Sequence, residues 1–239
     1  MIEVAGVTVR FGGVVALNAV SARFTAPVAG IIGPNGAGKT TLMNVVSGFI
    51  TATSGKVTME GQDILHLSPH KRAQTGLRRS FQKEQIADDL TVAENVMVQV
   101  DHRFGGGPAK RDEVAQMLAA VGLADQAGKI GAHLSGFERR LTDVARCMMG
   151  KPRLILFDEP AGGMSVAETE RLGDLILSIH AMTGAQVLVI DHDVELIRKV
   201  CAETLVLDFG RAIAFGPTAD VLADPRVKAA YLGTDEALS

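Results

Sequence analysis

Gly33-Pro34-Asn35-Gly36-Ala37-Gly38-Lys39-Thr40, followed by Thr41, has the residue types and order needed to hold a phosphate. The run matches G-x-x-x-x-G-K-[ST]. Gly33, Gly36 and Gly38 carry no Cβ, so backbone N–H groups from Asn35 onward can close around phosphate oxygens. A helix opening at Lys39 adds its partial positive charge. Lys39 would reach the β- and γ-phosphates, and the Thr40 hydroxyl would meet Mg²⁺. The motif needs a strand before it and a helix behind it. Ile31-Ile32 end an apolar run, and Leu42, Val45, Val46 and Phe49 recur at helical spacing.

Four other groups could complete the chemistry. Leu154-Ile155-Leu156-Phe157 releases two carboxylates, Asp158-Glu159, at the end of a strand. Asp158 suits an outer hold on Mg²⁺. Glu159 suits polarising a water in line with the γ-phosphate. A second apolar run, residues 187–190, ends in Asp191-His192-Asp193, and its imidazole could sense the γ-phosphate. Gln82 closes a strand expected over 78–82, and its side-chain amide could do the same. Ser135-Gly136 opens a helix well away from the loop, and Ser135 is a good N-cap. Its uncovered N–H groups could serve a phosphate held by a partner chain.

The elements that must position these groups follow from periodicity. Residues 2–11 and 14–24 flank Gly12-Gly13 and predict an antiparallel pair. Strands are expected at 28–32, 56–59, 78–82, 154–157 and 187–190, with a closing hairpin around Gly210. A short helix is expected over 70–74. From residue 91 to 150 the pattern turns helical, opened by the capping box Thr91-Val92-Ala93-Glu94. Within it, residues 103–109 read as a flexible break and helices as 110–121 and 135–149. Further helices are expected at 167–182, from Val194, and over 218–232 with an interruption at Pro225. The reading is an α/β fold: a nucleotide-binding core of residues 1–87 and 151–239, with a helical subdomain inserted at 88–150.

Composition narrows the partners. Of 239 residues, 47% are apolar, enough for a sizeable core, and the net charge of −3 gives no general attraction to nucleic acid. Cys147 and Cys201 form no metal spacing and no disulfide framework, which suits a reducing cytosol. Met1-Ile2-Glu3 leads directly into strand-like sequence, so no signal peptide is expected. No run approaches the ~20 apolar residues of a membrane helix.

Taken together, these residues resemble the ATPase subunit of ATP-binding cassette transporters, over nearly the whole chain and in the family's order. The resemblance implies a P-loop NTPase core with a RecA-like sheet and an N-terminal antiparallel β region. It makes Gln82 the Q-loop glutamine, beside Mg²⁺ together with Thr40 and Asp158. Ser135-Gly136 stand in the signature motif, residues 154–158 in Walker B, and 161–165 in the D-loop. Glu159 becomes the catalytic glutamate, His192 the switch histidine, and Phe11 the aromatic that stacks on adenine. The family closes as a head-to-tail dimer on two ATP molecules, so a second ATPase subunit, identical or different, is implied. Separate transmembrane permease subunits and, indirectly, an extracytoplasmic solute-binding protein are implied too, with this chain peripheral on the cytoplasmic face of the membrane.

Three stretches look like the ATPases of branched-chain amino acid importers, whose urea-uptake relatives share much of the pattern. They are Arg79-Ser80-Phe81-Gln82, Glu159-Pro160-Ala161-Gly162-Gly163-Met164 and Ala230-Tyr231-Leu232-Gly233. Three departures stand out: Phe137 replaces the second signature glycine, Glu138 replaces glutamine, and Met164-Ser165-Val166 ends the D-loop where Asp or Asn and then Pro are usual. These raise a second expectation, a regulatory subunit with weakened hydrolysis paired with a more active partner.

Overall fold

The computed structural model describes residues 1–100 and 107–232. Two sheets share the chain. β1 (Ile2–Phe11) and β2 (Val14–Phe24) form the expected hairpin. β4 (Ser54–Met59) and β5 (Gln62–Asp63) extend it, giving the order β2-β1-β4-β5. The second sheet takes β3 (Val28–Ile32), β6 (Leu77–Arg79), β7 (Leu154–Asp158), β8 (Gln186–Ile190), β9 (Glu203–Asp208) and β10 (Arg211–Pro217). Its order is β10-β9-β3-β8-β7-β6, parallel except for the β10 edge.

Burial on both faces explains why β3, β7 and β8 read as unbroken apolar runs. Leu154 and Leu156 of β7 join Ile31, Leu188 and the first-sheet residues Val4, Val7 and Leu17 in one core. Ile155 and Phe157 face the other way, into a second core with Val187 and Val189. Helices close both sides. α1 (Lys39–Ser47) follows the phosphate loop and packs with Leu42, Met43, Val45 and Val46 in the first core. α2 (Pro69–Gln74) carries Arg72, 2% exposed, which donates to the carbonyls of Val45 and Val46 and so satisfies the far end of α1.

α3 (Val92–Met97), α4 (Gly107–Ala120) and α5 (Gly136–Met148) pack on one another, and α5 also meets α6 (Val166–Thr183). α7 (Val194–Val200), α8 (Thr218–Ala223) and α9 (Pro225–Leu232) complete the described chain, with α8 and α9 broken before Pro225 as expected.

Three expectations are corrected. The strand expected over 78–82 ends at Arg79, so Gln82 lies in a loop. Ser80 N still donates to Leu156 O, but the next ladder donor, Asp158 N, meets the Ser80 hydroxyl at 3.4 Å, and beyond it the carbonyls of Phe81 and Gln82 accept from Arg140 at 3.2 and 3.1 Å. Phe49 sits beyond the end of α1, 57% exposed, because Gly48 (φ 86°) stops the helix first. The flexible break expected at 103–109 reaches into α4 at 107–109, where Pro108 is tolerated because first-turn N–H groups need no partner. Residues 103–106 and Gly233 lie outside the described residues.

Candidate nucleotide site

The groups with chemistry gather at the carboxyl ends of adjacent parallel strands, where open α/β sheets bind ligands. The loop 33–38 leaves β3, Asp158 is the last residue of β7, and Asp191-His192 follows β8, which lies between them. An open cleft of about 180 Å³ is lined by Asn35, Gly36, Gly38, Lys39, Thr40 and Glu159 among others. Ala37 and Thr41 also face it.

Two glycines in the loop are sterically required. A Cβ on Gly33 would stand 2.1 Å from Leu207 O, and one on Gly38 2.9 Å from Ala16 O. Gly38, at φ 101°, is also the N-cap of α1 and supplies no side-chain hydrogen bond. The first N–H groups of α1 are therefore not capped by a side chain, a ready anion site. Lys39, 7% exposed, folds back so that Nζ donates to Gly33 O at 2.6 Å and Pro34 O at 3.0 Å. Burial pushes its ammonium pKa down, and the nearby Glu159 and Asp158 carboxylates pull it partly back.

Asp158 is 5% exposed and accepts from Arg79 Nη2 through Oδ2 at 2.8 Å. Glu159 sits at φ 48°, a conformation that non-glycine residues rarely take, with its N–H donating to Ile190 O at 2.7 Å. This strained turn presents the Glu159 side chain to the cleft. There Oε2 accepts from Gln82 Nε2 at 2.6 Å, so the structure brings Gln82 and Glu159 together although 77 residues separate them.

His192 has a side chain 54% exposed, with Nδ1 3.6 Å from Asp191 Oδ1. Asp191 itself is fully buried and accepts from Asp193 N and from Ala161 N at 2.9 and 3.1 Å. One carboxylate thus ties the turn after β7 to the turn after β8. Burial raises its pKa, opposed by those two N–H groups.

Other expected residues stand apart from the cleft. Phe11 is 52% exposed at the β1–β2 turn and is not among the lining residues. Ser135 and Gly136 begin α5 and do not line it either. Ser135 and Glu138 form a reciprocal capping box, Ser135 N to Oε2 at 2.7 Å and Glu138 N to Ser135 Oγ at 3.2 Å. Lys129 adds an ion pair to Glu138 at 2.7 Å, which holds that carboxyl below its usual range. The Phe137 ring is half-buried on its own chain, with the Arg171 guanidinium 5.5 Å from its centroid. Ser165 caps α6 in the same way with Glu168.

Sequence reasoning missed several of these roles. The S-x-x-E spacing at 135–138 and 165–168 could have revealed both capping boxes. Arg79 and Arg140 could not be found so: a lone arginine reads as a solvated side chain, yet Arg140 is 1% exposed and pairs with Glu84 at 2.8 Å.

A phosphate loop between β3 and α1, acids at the ends of β7 and β8, and a helical layer beside the sheet define an ATP-binding cassette. The chain belongs to the ABC transporter family, which matches residues 20–162, and residues 213–237 match the family of branched-chain amino acid ATP-binding cassette transporters. It is 35% identical to the high-affinity branched-chain amino acid transport ATP-binding protein BraF of Pseudomonas aeruginosa, covering 98% of both chains. It is also 35% identical to the lipopolysaccharide export system ATP-binding protein LptB of Haemophilus influenzae, over 86% of each chain. The solved ADP conformation of MJ1267, an ATP-binding cassette of an ABC transporter, superposes with a TM-score of 0.88 at 27% identity, covering 98% of both. The protein is an ATPase subunit of this class.

Proposed function

We propose that this chain binds Mg²⁺·ATP at residues 33–41 and hydrolyses it to power uptake of branched-chain or other amino acids through separate membrane subunits. The observation that carries the reading is the cleft itself. It sets the uncapped start of α1, Lys39 and the Glu159 carboxylate around one space. In this reading Asn35, Gly36, Gly38, Lys39, Thr40 and Thr41 hold the phosphates and Phe11 stacks on adenine. Glu159 takes the proton of the attacking water, Gln82 orients Glu159, and His192 contacts the γ-phosphate.

Thr40, Asp158 and Gln82 would hold Mg²⁺, which supplies charge neutralisation at the phosphates. The residues fit that ion: a hydroxyl at the start of α1 and a side-chain amide oxygen suit direct contact beside phosphates and water, and the buried Asp158 carboxylate suits the outer hold. No denser cluster of His, Cys, Asp or Glu able to hold a metal occurs among the described residues.

Ser135 and Gly136 would serve the nucleotide of a second ATPase chain, since they lie outside the chain's own cleft. Residues 1–87 and 151–239 would move as the core and 88–150 as the signature subdomain. No described helix is long and apolar enough to cross a membrane. On the likeness to importer ATPases we put the chain on the cytoplasmic face, held by transmembrane permease subunits that an extracytoplasmic binding protein supplies. The match at 213–237 and the full-length likeness to BraF favour import of amino acids over export or urea uptake. Cells whose only copy carries Glu159→Gln should lose uptake of labelled leucine, isoleucine and valine. Loss of urea uptake with intact leucine uptake would refute the amino acid assignment.

The regulatory reading rested on Phe137 and Ser165, and both have local explanations. Phe137 packs against its own Arg171, and Ser165 caps α6. Phe137→Gly should therefore leave the ATPase rate within about twofold, and lower stability by about 1–2 kcal/mol through lost half-buried ring area. A several-fold faster ATPase in that variant would make the ring a brake.

A further inference from the structure

The Arg79 side chain is 6% exposed and joins three parts of the molecule. Nη2 donates to Asp158 Oδ2 at 2.8 Å. Nη1 donates to Asn44 Oδ1 at 2.6 Å and Ser47 Oγ at 2.7 Å, both on α1. The guanidinium carbon lies 4.8 Å from the centroid of Phe81 and 5.7 Å from that of Phe49, and these two rings meet edge to face at 5.8 Å. Nε has no hydrogen-bond partner, so two hydrogen-bonded ends and the aromatic pair fix the fork.

The aromatic pair opens outward. Phe49, Phe81, Pro69, His70 and Gln99 line a groove of about 270 Å³, on which Arg79 itself borders. Phe49 is the exposed member. One guanidinium thus lies over two rings that open on an outer groove and donates to a buried carboxylate. An arginine fork can do both because it stacks on rings in its plane normal while donating within its plane. Lysine, with a compact ammonium, cannot hold the same set.

We propose that Arg79 is a positioning residue for Asp158, and that the Phe49–Phe81 pair fixes the guanidinium in place. The inference rests on the reading above that Asp158 helps to hold Mg²⁺. An ordinary buried ion pair would stabilise the fold without involving Phe49, whose truncation removes no hydrogen bond.

The test uses the purified full chain and Mn²⁺, which is followed by electron paramagnetic resonance in the presence of AMP-PNP, a non-hydrolysable ATP analogue. Nucleotide affinity in EDTA is measured beside it. Arg79→Lys should weaken Mn²⁺ binding about tenfold, as loss of an outer-shell partner does. Phe49→Ala should weaken it about threefold, the size of one partly exposed cation–π contact. Both should keep nucleotide affinity in EDTA within about twofold, because the phosphate loop is untouched. Phe49→Ala lies on the surface and keeps the test open should Arg79→Lys fold poorly. Unchanged Mn²⁺ affinity in Phe49→Ala overturns the role of the aromatic pair, and a parallel fall in nucleotide affinity in EDTA overturns positioning in favour of general damage. Nucleotide-bound wild-type chain that holds Mn²⁺ no better than free AMP-PNP would sink the metal-site reading itself.

Discussion

Lys39→Ala loses ATP affinity by a few hundredfold, about 3–4 kcal/mol for charge-assisted hydrogen bonds to two phosphates. The ammonium is 7% exposed and already sits under the loop, 2.6 Å from Gly33 O, so no large rearrangement is needed before it turns to a phosphate. Its burial is costly, as the lowered pKa shows, and alanine removes that cost. The variant should therefore melt close to wild type without nucleotide while failing to bind a fluorescent ATP analogue. Titration calorimetry gives the same answer independently. Tight ATP binding by Lys39→Ala would contradict the assignment of the loop.

Glu159→Gln separates binding from chemistry. The amide is isosteric, and its oxygen can still accept from Gln82 Nε2, which now lies 2.6 Å from Glu159 Oε2. The left-handed backbone at φ 48° is no harder for glutamine than for glutamate. What changes is basicity: an amide cannot take the water's proton, so hydrolysis should fall about 10²–10⁴-fold. ATP binding should survive, and the chain should accumulate in the ATP-bound closed form, visible as a nucleotide-dependent dimer by sedimentation. Ordinary turnover in this variant would remove Glu159 from the role of base.

Where the sequence was readable, a physical pattern made it so. β3, β7 and β8 are covered on both faces, so their residues had to be continuously apolar, and the carboxylates at the ends of β7 and β8 marked the cleft edge. The β1–β2 hairpin was legible from Gly12-Gly13 between strand-like runs. The place of β3 was not, since it sits between β8 and β9, partners more than 150 residues later in the chain, although the strand leading to His192 was expected beside the one ending at Asp158, as β8 lies beside β7. The direction of the Phe137 ring depends on Arg171, and the burial of Arg79 on Asp158; neither partner is close in sequence. The early end of β6 was equally out of reach, since Asp158 N takes the Ser80 hydroxyl and Arg140 of α5 binds the carbonyls of Phe81 and Gln82 beyond it. Local rules describe how a segment wishes to fold, and these contacts are made by segments that meet only in three dimensions.

The proposed function requires ATP to be hydrolysed between the phosphate loop of one chain and Ser135-Gly136 of another. The steady-state ATPase rate per chain, measured against chain concentration at saturating Mg²⁺·ATP, tests it most directly. The rate per chain should rise with concentration and then level off, because Ser135 and Gly136 do not line the chain's own Lys39 cleft. A measurable rate per chain that stays constant across the whole range would mean that one chain completes the site alone, and would contradict it.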